Sequence, residues 1–267
     1  IRLGAFFGVF AAVAAWEVLA PRRTLIAARR ARWPGNLGIV FLNTLIVRAI
    51  FPAGAVGIAL AVEAKNFGLL NAVALPFWFK AALAFLLLDL AIYLQHVLFH
   101  AVPALWRLHR MHHADLGFDV TTGARFHPIE IVLSMLIKAA AVVGLGAPAI
   151  AVLAFEIALS ATAMFNHANA RLPARLDRGI RLVVVTPDMH RVHHSAVPAE
   201  TNSNFGFNLP WWDRLFGTYR AEPAAGHEAM TLGLATFRDP GELRLDKMLI
   251  QPFRGEAGAY AFGRREA

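Results

Sequence analysis

The sequence predicts a mainly α-helical integral membrane protein, with about four to five membrane helices and a histidine-rich helical cap on the cytoplasmic side. Composition is the first observation: 57% of the 267 residues are hydrophobic and the mean hydropathy is +0.50. A soluble domain is about half apolar even with glycine counted. The second is a run of apolar stretches through the first two-thirds of the chain, each near or above the roughly 20 residues a crossing needs. The third is the crowding of eight of the eleven histidines into three short boxes. These are His96-x-x-x-His100, His109-x-x-His112-His113 and His190-x-x-His193-His194.

Residues 3–20 and 37–62 each read as one span. Arg22 and Arg23 flank the first as a stop-transfer signal would, and no small-residue cleavage site follows it. Residues 75–98 form the third span, which carries Asp89 and ends in the first histidine box. The stretch 129–165 would reach roughly 55 Å as one helix, against a hydrocarbon core near 30 Å. Gly144-Leu145-Gly146-Ala147-Pro148 interrupts it, so it predicts two antiparallel helices, about 130–144 and 148–165, each short for a full crossing. The hairpin returns His167 to the face that holds His109, His112 and His113. Arg22, Arg23, Arg29, Arg30 and Arg32 crowd the first connection, whereas residues 63–74 hold one lysine and one glutamate. The positive-inside rule then puts the boxes and the polar last third in the cytoplasm. Three regions follow: membrane helices with a basic loop (1–74), the histidine-bearing part (75–220) and a C-terminal tail (221–267).

There is no cysteine, which removes disulfides and thiolate ligands. The net charge of +8 fits an anionic membrane surface, and no nucleic-acid-binding motif accompanies it. No internal repeat is present beyond the echo of the two H-x-x-H-H boxes.

Spacings of three and four residues put imidazoles on one helix face, and an adjacent pair lets one short helix reach two ions. One structural zinc takes about four ligands, so eight histidines point to two metal ions in one site. Thr186-Pro187-Asp188 reads as a helix start for the third box: an N-cap, a proline in the first turn and an acid at the positive dipole end. Nitrogen ligands suit iron, zinc or copper, with redox iron the better fit to so many. His227 stands apart and reads as an ordinary buried or interfacial histidine. Arg107, Arg110 and Arg191 read either as snorkelling side chains or as contacts to anionic lipid. Trp211, Trp212 and Phe216 read as an interfacial belt or core, and secondarily as channel lining.

Further residues extend the pattern: Asp89-x-x-x-Tyr93-x-x-His96, Ala114-Asp115 after the second box, Arg125-Phe126-His127-Pro128, and Phe165-Asn166-His167-Ala168-Asn169. Thr186-Pro187 precedes the third box and Ser195 follows it, and Asn204-Phe205-Gly206 leads to Trp212-Asp213-Arg214-Leu215-Phe216-Gly217-Thr218-Tyr219. In this order the set resembles the fatty acid hydroxylase/sterol desaturase superfamily of membrane non-haem di-iron oxygenases, over about residues 75–220. The resemblance implies two iron ions held by His96, His100, His109, His112, His113, His190, His193 and His194, with His167 as a further ligand and His127 as another. Asp89, Tyr93, Asp115, Asn169 and Asp188 are expected to orient ligand rings or offset charge, since metal-bound imidazoles donate their outer N–H to an acceptor. Helix packing is the plainer role for Asp89 and Tyr93. The implied activity is O2-dependent hydroxylation or desaturation of a membrane lipid, fatty acyl or sterol-like, in a bacterial inner membrane. Without haem, flavin or nucleotide motifs, electrons come from a separate ferredoxin- or cytochrome-type donor. The alternatives are an ether-lipid monooxygenase, a carotenoid hydroxylase, or a non-catalytic membrane metal-binding protein or transporter. Transport favours ligands along the bilayer midplane, unlike these helix-end boxes.

Overall fold

In the computed structural model, which describes residues 1–261, seven helices build a bundle that supports a layer of short helices and loops. They are α1 (Arg2–Leu19), α2 (Arg29–Ile50), α3 (Gly54–Ala64), α4 (Phe77–Ala101), α5 (Pro103–His113), α6 (Pro128–Leu145) and α7 (Ala149–Asn166). Two short helices of the cap follow, α8 (Ala174–Ile180) and α9 (Pro187–His193). Among the described residues no β-strand forms, only isolated bridges Pro21↔Ala170 and Ser195↔Leu232. Residues 262–267 of the C-terminal tail lie outside the described part.

Among the described residues, five segments are long and apolar enough to cross a membrane: Arg2–Leu19, Arg29–Ala64, Phe77–Ala101, Pro128–Leu145 and Ala149–Asn166. Their outward faces carry Phe7, Phe41, Leu60, Trp78 and Leu136, all exposed as side chains facing lipid are. The second segment differs from the single span expected over 37–62. It breaks at residues 51–53 into α2 and α3, because Pro52 lacks an N–H and disfavours helix at Phe51. At 1.5 Å per residue α3 is only about 16 Å long. It lies against α6 and α7 at the end remote from the histidines.

The α6–α7 hairpin forms as the breaker predicts. His127 caps α6, Pro128 opens it, and Gly146 at φ +65° closes it. The loop after α3 pairs with that turn: Leu69 and Leu70 donate to the carbonyls of Gly144 and Leu145. A Cβ on Gly68 would lie 2.2 Å from the Gly146 nitrogen, so this approach requires glycine. A core of small and branched residues joins α3, α4, α6 and α7, including Ala55, Ala59, Ala84, Leu88, Val142, Val152 and Phe155. Small side chains let the helices close on one another where lipid gives no hydrophobic drive.

The arginines of the first connection are not a free basic loop. Arg32 sits inside α2, fully buried. Its Nε and Nη2 reach Asp115 at 2.6 and 2.8 Å, Nη1 reaches Asp119 at 2.6 Å, and Nη2 also reaches Thr122 at 3.0 Å. Arg29 pairs with Glu17 of α1 at 3.3 Å. Glu17 accepts in turn from the backbone N–H of Val120 and Asn169. The N-terminal helices are thus bonded through charge to the loop that follows the second histidine box.

Candidate metal centre

Four elements converge on one layer. The last turns of α4 deliver His96 and His100, α5 delivers His109, His112 and His113, the end of α7 delivers His167, and α9 with its C-cap delivers His190, His193 and His194. Local sequence explains each placement. Pro103 restarts a helix directly after α4, so the second box follows the first at a bend. Thr186 caps α9 by accepting from the Met189 N–H, with Pro187 in the first turn, as the sequence predicts. Gly123 lets its loop pack closely on the end of α7: a Cβ there would lie 2.3 Å from the Ala163 carbonyl oxygen and 3.2 Å from His167 Nδ1.

The nine rings, none more than 3% exposed, form two groups. His96, His100, His109, His113 and His193 make one; His112, His167, His190 and His194 make the other. Within each group the candidate ligand atoms all lie within 4.8 Å of one another. The groups are adjacent: His113 and His194 stack at 4.5 Å, and His190 and His193 at 5.0 Å. Helices α5 and α9 each serve both groups, which is the geometric content of the H-x-x-H-H spacing.

Outer hydrogen bonds fix which nitrogen faces inward. Nδ1 of His96 meets the Phe205 carbonyl at 2.7 Å, that of His193 the Ser203 carbonyl at 2.7 Å, and that of His167 the Ala163 carbonyl at 2.7 Å. His112 Nδ1 meets the Arg125 carbonyl at 3.2 Å, and His109 Nδ1 a Glu130 oxygen at 2.6 Å. His100 Nδ1 meets Asn202 Oδ1 at 3.1 Å, and Asn202 Nδ2 donates to the Tyr260 carbonyl, which orients that amide. These oxygens accept only, so each Nδ1 carries the proton and each Nε2 presents a lone pair to the centre.

The lone pairs then face one another. Nε2 of His96 and His109 are 3.1 Å apart, and Nε2 of His167 is 3.2 Å from those of both His112 and His194. Nε2 of His100 and His193, and both nitrogens of His113 and His190, are buried with no hydrogen-bond partner. Protons do not answer this. Burial, then the neighbouring histidines, holds His112, His113, His190 and His194 well below the ordinary imidazole value. Burial pushes His167 down to about 3. A shared cation does answer it, because ligands at about 2.0–2.1 Å from one ion stand about 3–3.4 Å from each other. The donor set fits a transition metal in each group.

The other expected site residues are placed differently. His127 lies outside both groups: Nδ1 accepts from the Ile129 N–H and Nε2 donates to the Leu249 carbonyl, so it caps α6 instead of offering a ligand. Asp89 accepts from Trp212 Nε1 at 2.8 Å, and Tyr93 bonds Thr218 at 2.9 Å and stacks on Phe216. Both hold the loop 205–218 instead of a ring. Asp115 is spent on Arg32, Asn169 on the backbone of Arg23, and Asp188 on Arg22 and Arg191. Arg110 does not face lipid headgroups; it is buried and donates to the carbonyls of Gln251, Arg254 and Glu256. Arg191 is likewise buried, over the Phe118 ring and against the Ala168 carbonyl. Arg107 donates to the Pro252 carbonyl at 2.7 Å. Sequence reasoning missed Glu130, Asn202 and the C-terminal segment, whose Tyr260 stacks on Trp106 beside His100 and His113.

Residues 81–218 match the family described as Fatty acid hydroxylase. The chain is similar to a protein of Rhizobium tropici called ornithine lipid hydroxylase OlsE, 33% identical over 149 residues, which are 55% of this chain and 44% of that one. It is also similar to proteins called alkylglycerol monooxygenase. The one from Homo sapiens is 27% identical over 60% of this chain and 34% of its own, and that from Danio rerio is 28% identical over 58% and 34%. The matched stretches span less than half the length of these relatives. No solved structure matches the chain.

Proposed function

The chain belongs to the fatty acid hydroxylase family, and on that premise we propose that it is an O2-dependent lipid hydroxylase with one iron ion in each histidine group. The observation that carries the reading is the pair of adjacent, fully buried imidazole groups whose lone pairs point inward without partners. Iron bound there would supply O2 binding and the redox change needed to oxidise an unactivated C–H bond. One oxygen atom enters the bond and the other leaves as water, which consumes two electrons and two protons. A separate ferredoxin- or cytochrome-type carrier delivers the electrons.

The chain's own groups do the rest. Backbone carbonyls, Glu130 and Asn202 fix the tautomer and aim of six of the nine rings before any ion arrives, which lowers the reorganisation that binding costs. Glu130 places one negative charge against the five-histidine group. Phe118, Phe126, Phe205 and Phe207 wall the groups and exclude water. An apolar groove of about 430 Å³ opens between the first halves of α4 and α7, from Trp78 to Trp211, and would accommodate part of a hydrocarbon chain. Hydroxylation is favoured over desaturation because the relatives are named hydroxylase and monooxygenase, and their names make an ornithine lipid or an alkylglycerol the substrate class to try first. The centre faces the cytoplasm of a bacterial inner membrane, where Arg22, Arg23 and Arg171 lie at its edge.

The test is incubation of the purified, iron-loaded chain with a bacterial lipid extract, a reductant and labelled O2, followed by mass spectrometry. A lipid gaining one labelled oxygen, absent with His112→Ala, supports the reading. Iron retention with no labelled lipid contradicts it.

A further inference from the structure

Two aromatic rings lie across both histidine groups at once. Phe126, between α5 and α6, stacks on His112 at 4.5 Å with planes 10° apart and stands 6.1 Å from His109. Phe207, in the loop after α9, is 5.1 Å from His96 and 5.8 Å from His190. Each ring therefore touches one histidine of each group, and the two centroids are 6.5 Å apart. Both also pack into the apolar core of α3, α4, α6 and α7. They form the layer between the hydrocarbon side and the inward nitrogens.

Phe207 is held firmly. Its carbonyl accepts from Asn166 at 3.0 Å, and Asn208 next to it bonds Thr162 of α7. The N–H groups of Phe205 and Gly206 donate to Asp213 at 2.7 and 2.9 Å. A Cβ on Gly206 would lie 2.8 Å from both Asp213 Oδ2 and the Leu209 carbonyl, so the loop has no room to shift there. Trp212–Asp89 and Tyr93–Thr218 pin the same loop to α4. A ring on so fixed a support can act as a stop.

We infer that Phe126 and Phe207 are the specificity-determining residues that set which carbon of a lipid chain is oxidised. The inference rests on the lipid-hydroxylase reading. A saturated chain has no polar handle at the reacting carbon, so its advance is set by apolar contact alone. Among the described residues only these two rings contact both groups, and both do so from the apolar core of the helix bundle. Differences of one methylene in such a pocket discriminate about 10–200-fold, so a change in ring size reads out as a change in position.

The test uses the full chain in phosphatidylcholine vesicles containing a series of phosphatidylcholines, each with a diazirine at a different carbon of one acyl chain. After illumination, cross-links are mapped by mass spectrometry. Labelling of residues 126 and 207 should peak at one carbon of the chain. Phe207→Ala should move that peak and spread labelling to residues 109–113 and 190–194, with metal content unchanged. In the labelled-O2 assay on bacterial lipid extract, the ratio of the two leading positional isomers should shift by on the order of tenfold. Phe207→Leu and Phe126→Leu should shift both readouts in the same sense and more weakly; they decide the matter if the alanine variant does not fold. Flat labelling of 126 and 207, or a peak and isomer ratio unmoved in every folded variant, overturns the inference. Absence of labelled oxygen from every lipid with the parent chain would strike the hydroxylase reading itself, while the cross-link pattern still judges the rings.

Discussion

Arg32 and the nine clustered histidines are buried to the same degree and lie one loop apart, yet the guanidinium has a partner on every arm, while four of the imidazoles have no partner for Nε2 and the other five meet only one another there. Asp115, Asp119 and Thr122 enclose Arg32, and Asn36 and Arg125 extend the network. Buried polar groups left unpaired cost free energy, and the fold avoids that cost at every nitrogen of Arg32. Six of the histidines are instead held by a bonded outer nitrogen with the other nitrogen turned inward, and His113 and His190 have neither nitrogen bonded. The difference separates a cluster that holds the N-terminal helices from one whose donors could hold cations.

The largest expected effect breaks the receiving cluster. His112→Ala removes a donor from the four-histidine group and His193→Ala one from the five-histidine group. Each variant should lose the ion of its group and fall below detectable turnover with helical content retained. Elemental analysis beside circular dichroism and the labelled-O2 assay checks this, and full turnover in either variant removes that histidine from the ligand set.

Arg32→Ala breaks the other cluster and should destabilise the fold by about 3–5 kcal/mol, the cost of leaving buried charge unpaired. Burial alone would raise the Asp115 carboxyl; the charge and hydrogen bonds of Arg32 outweigh it and hold the group well below the usual carboxylate range. A depressed acid stabilises above its unfolded value and loses that contribution as pH falls below it. Thermal unfolding in detergent should therefore weaken below about pH 4 in the parent, and that dependence should shrink in Arg32→Ala.

A smaller change sharpens the contrast. Glu130→Gln keeps shape but removes the acceptor charge from His109, and chelator competition should show metal affinity lower by about 10–100-fold with the fold intact. The smallest effect lies outside both clusters. Burial lowers His227 from 6.5 to about 4, although the Asp188 carboxylate beside it opposes the shift. The ring is neutral in the fold, so it stabilises above the unfolded value and this is lost as pH falls from about 6.5 toward 4. His227→Gln should flatten the pH dependence of unfolding in that window, and an unchanged slope would contradict it.

Much of this was legible because helices translate spacing into direction. Three- and four-residue intervals put His109, His112 and His113 at one end of α5, and the Gly144–Pro148 breaker returned His167 to their level. What spacing does not give is the partner of a side chain across the fold. Asp89 lies seven residues before His96, about two turns away, and reaches Trp212. The acceptors that orient the rings are mostly backbone carbonyls, which leave no mark in the sequence, and Glu130, which is 21 residues from His109. Pro52 did carry a local signal, and it breaks a stretch whose apolar character alone reads as continuous.

The central claim is that inward lone pairs in two adjacent groups grip metal. Its most direct test is X-ray absorption together with elemental quantification on the freshly purified, folded chain. The account predicts two iron ions per chain, each in a shell of nitrogen neighbours at about 2.0–2.2 Å. A folded chain that holds no transition metal, and takes up none when supplied with ferrous iron, would contradict it.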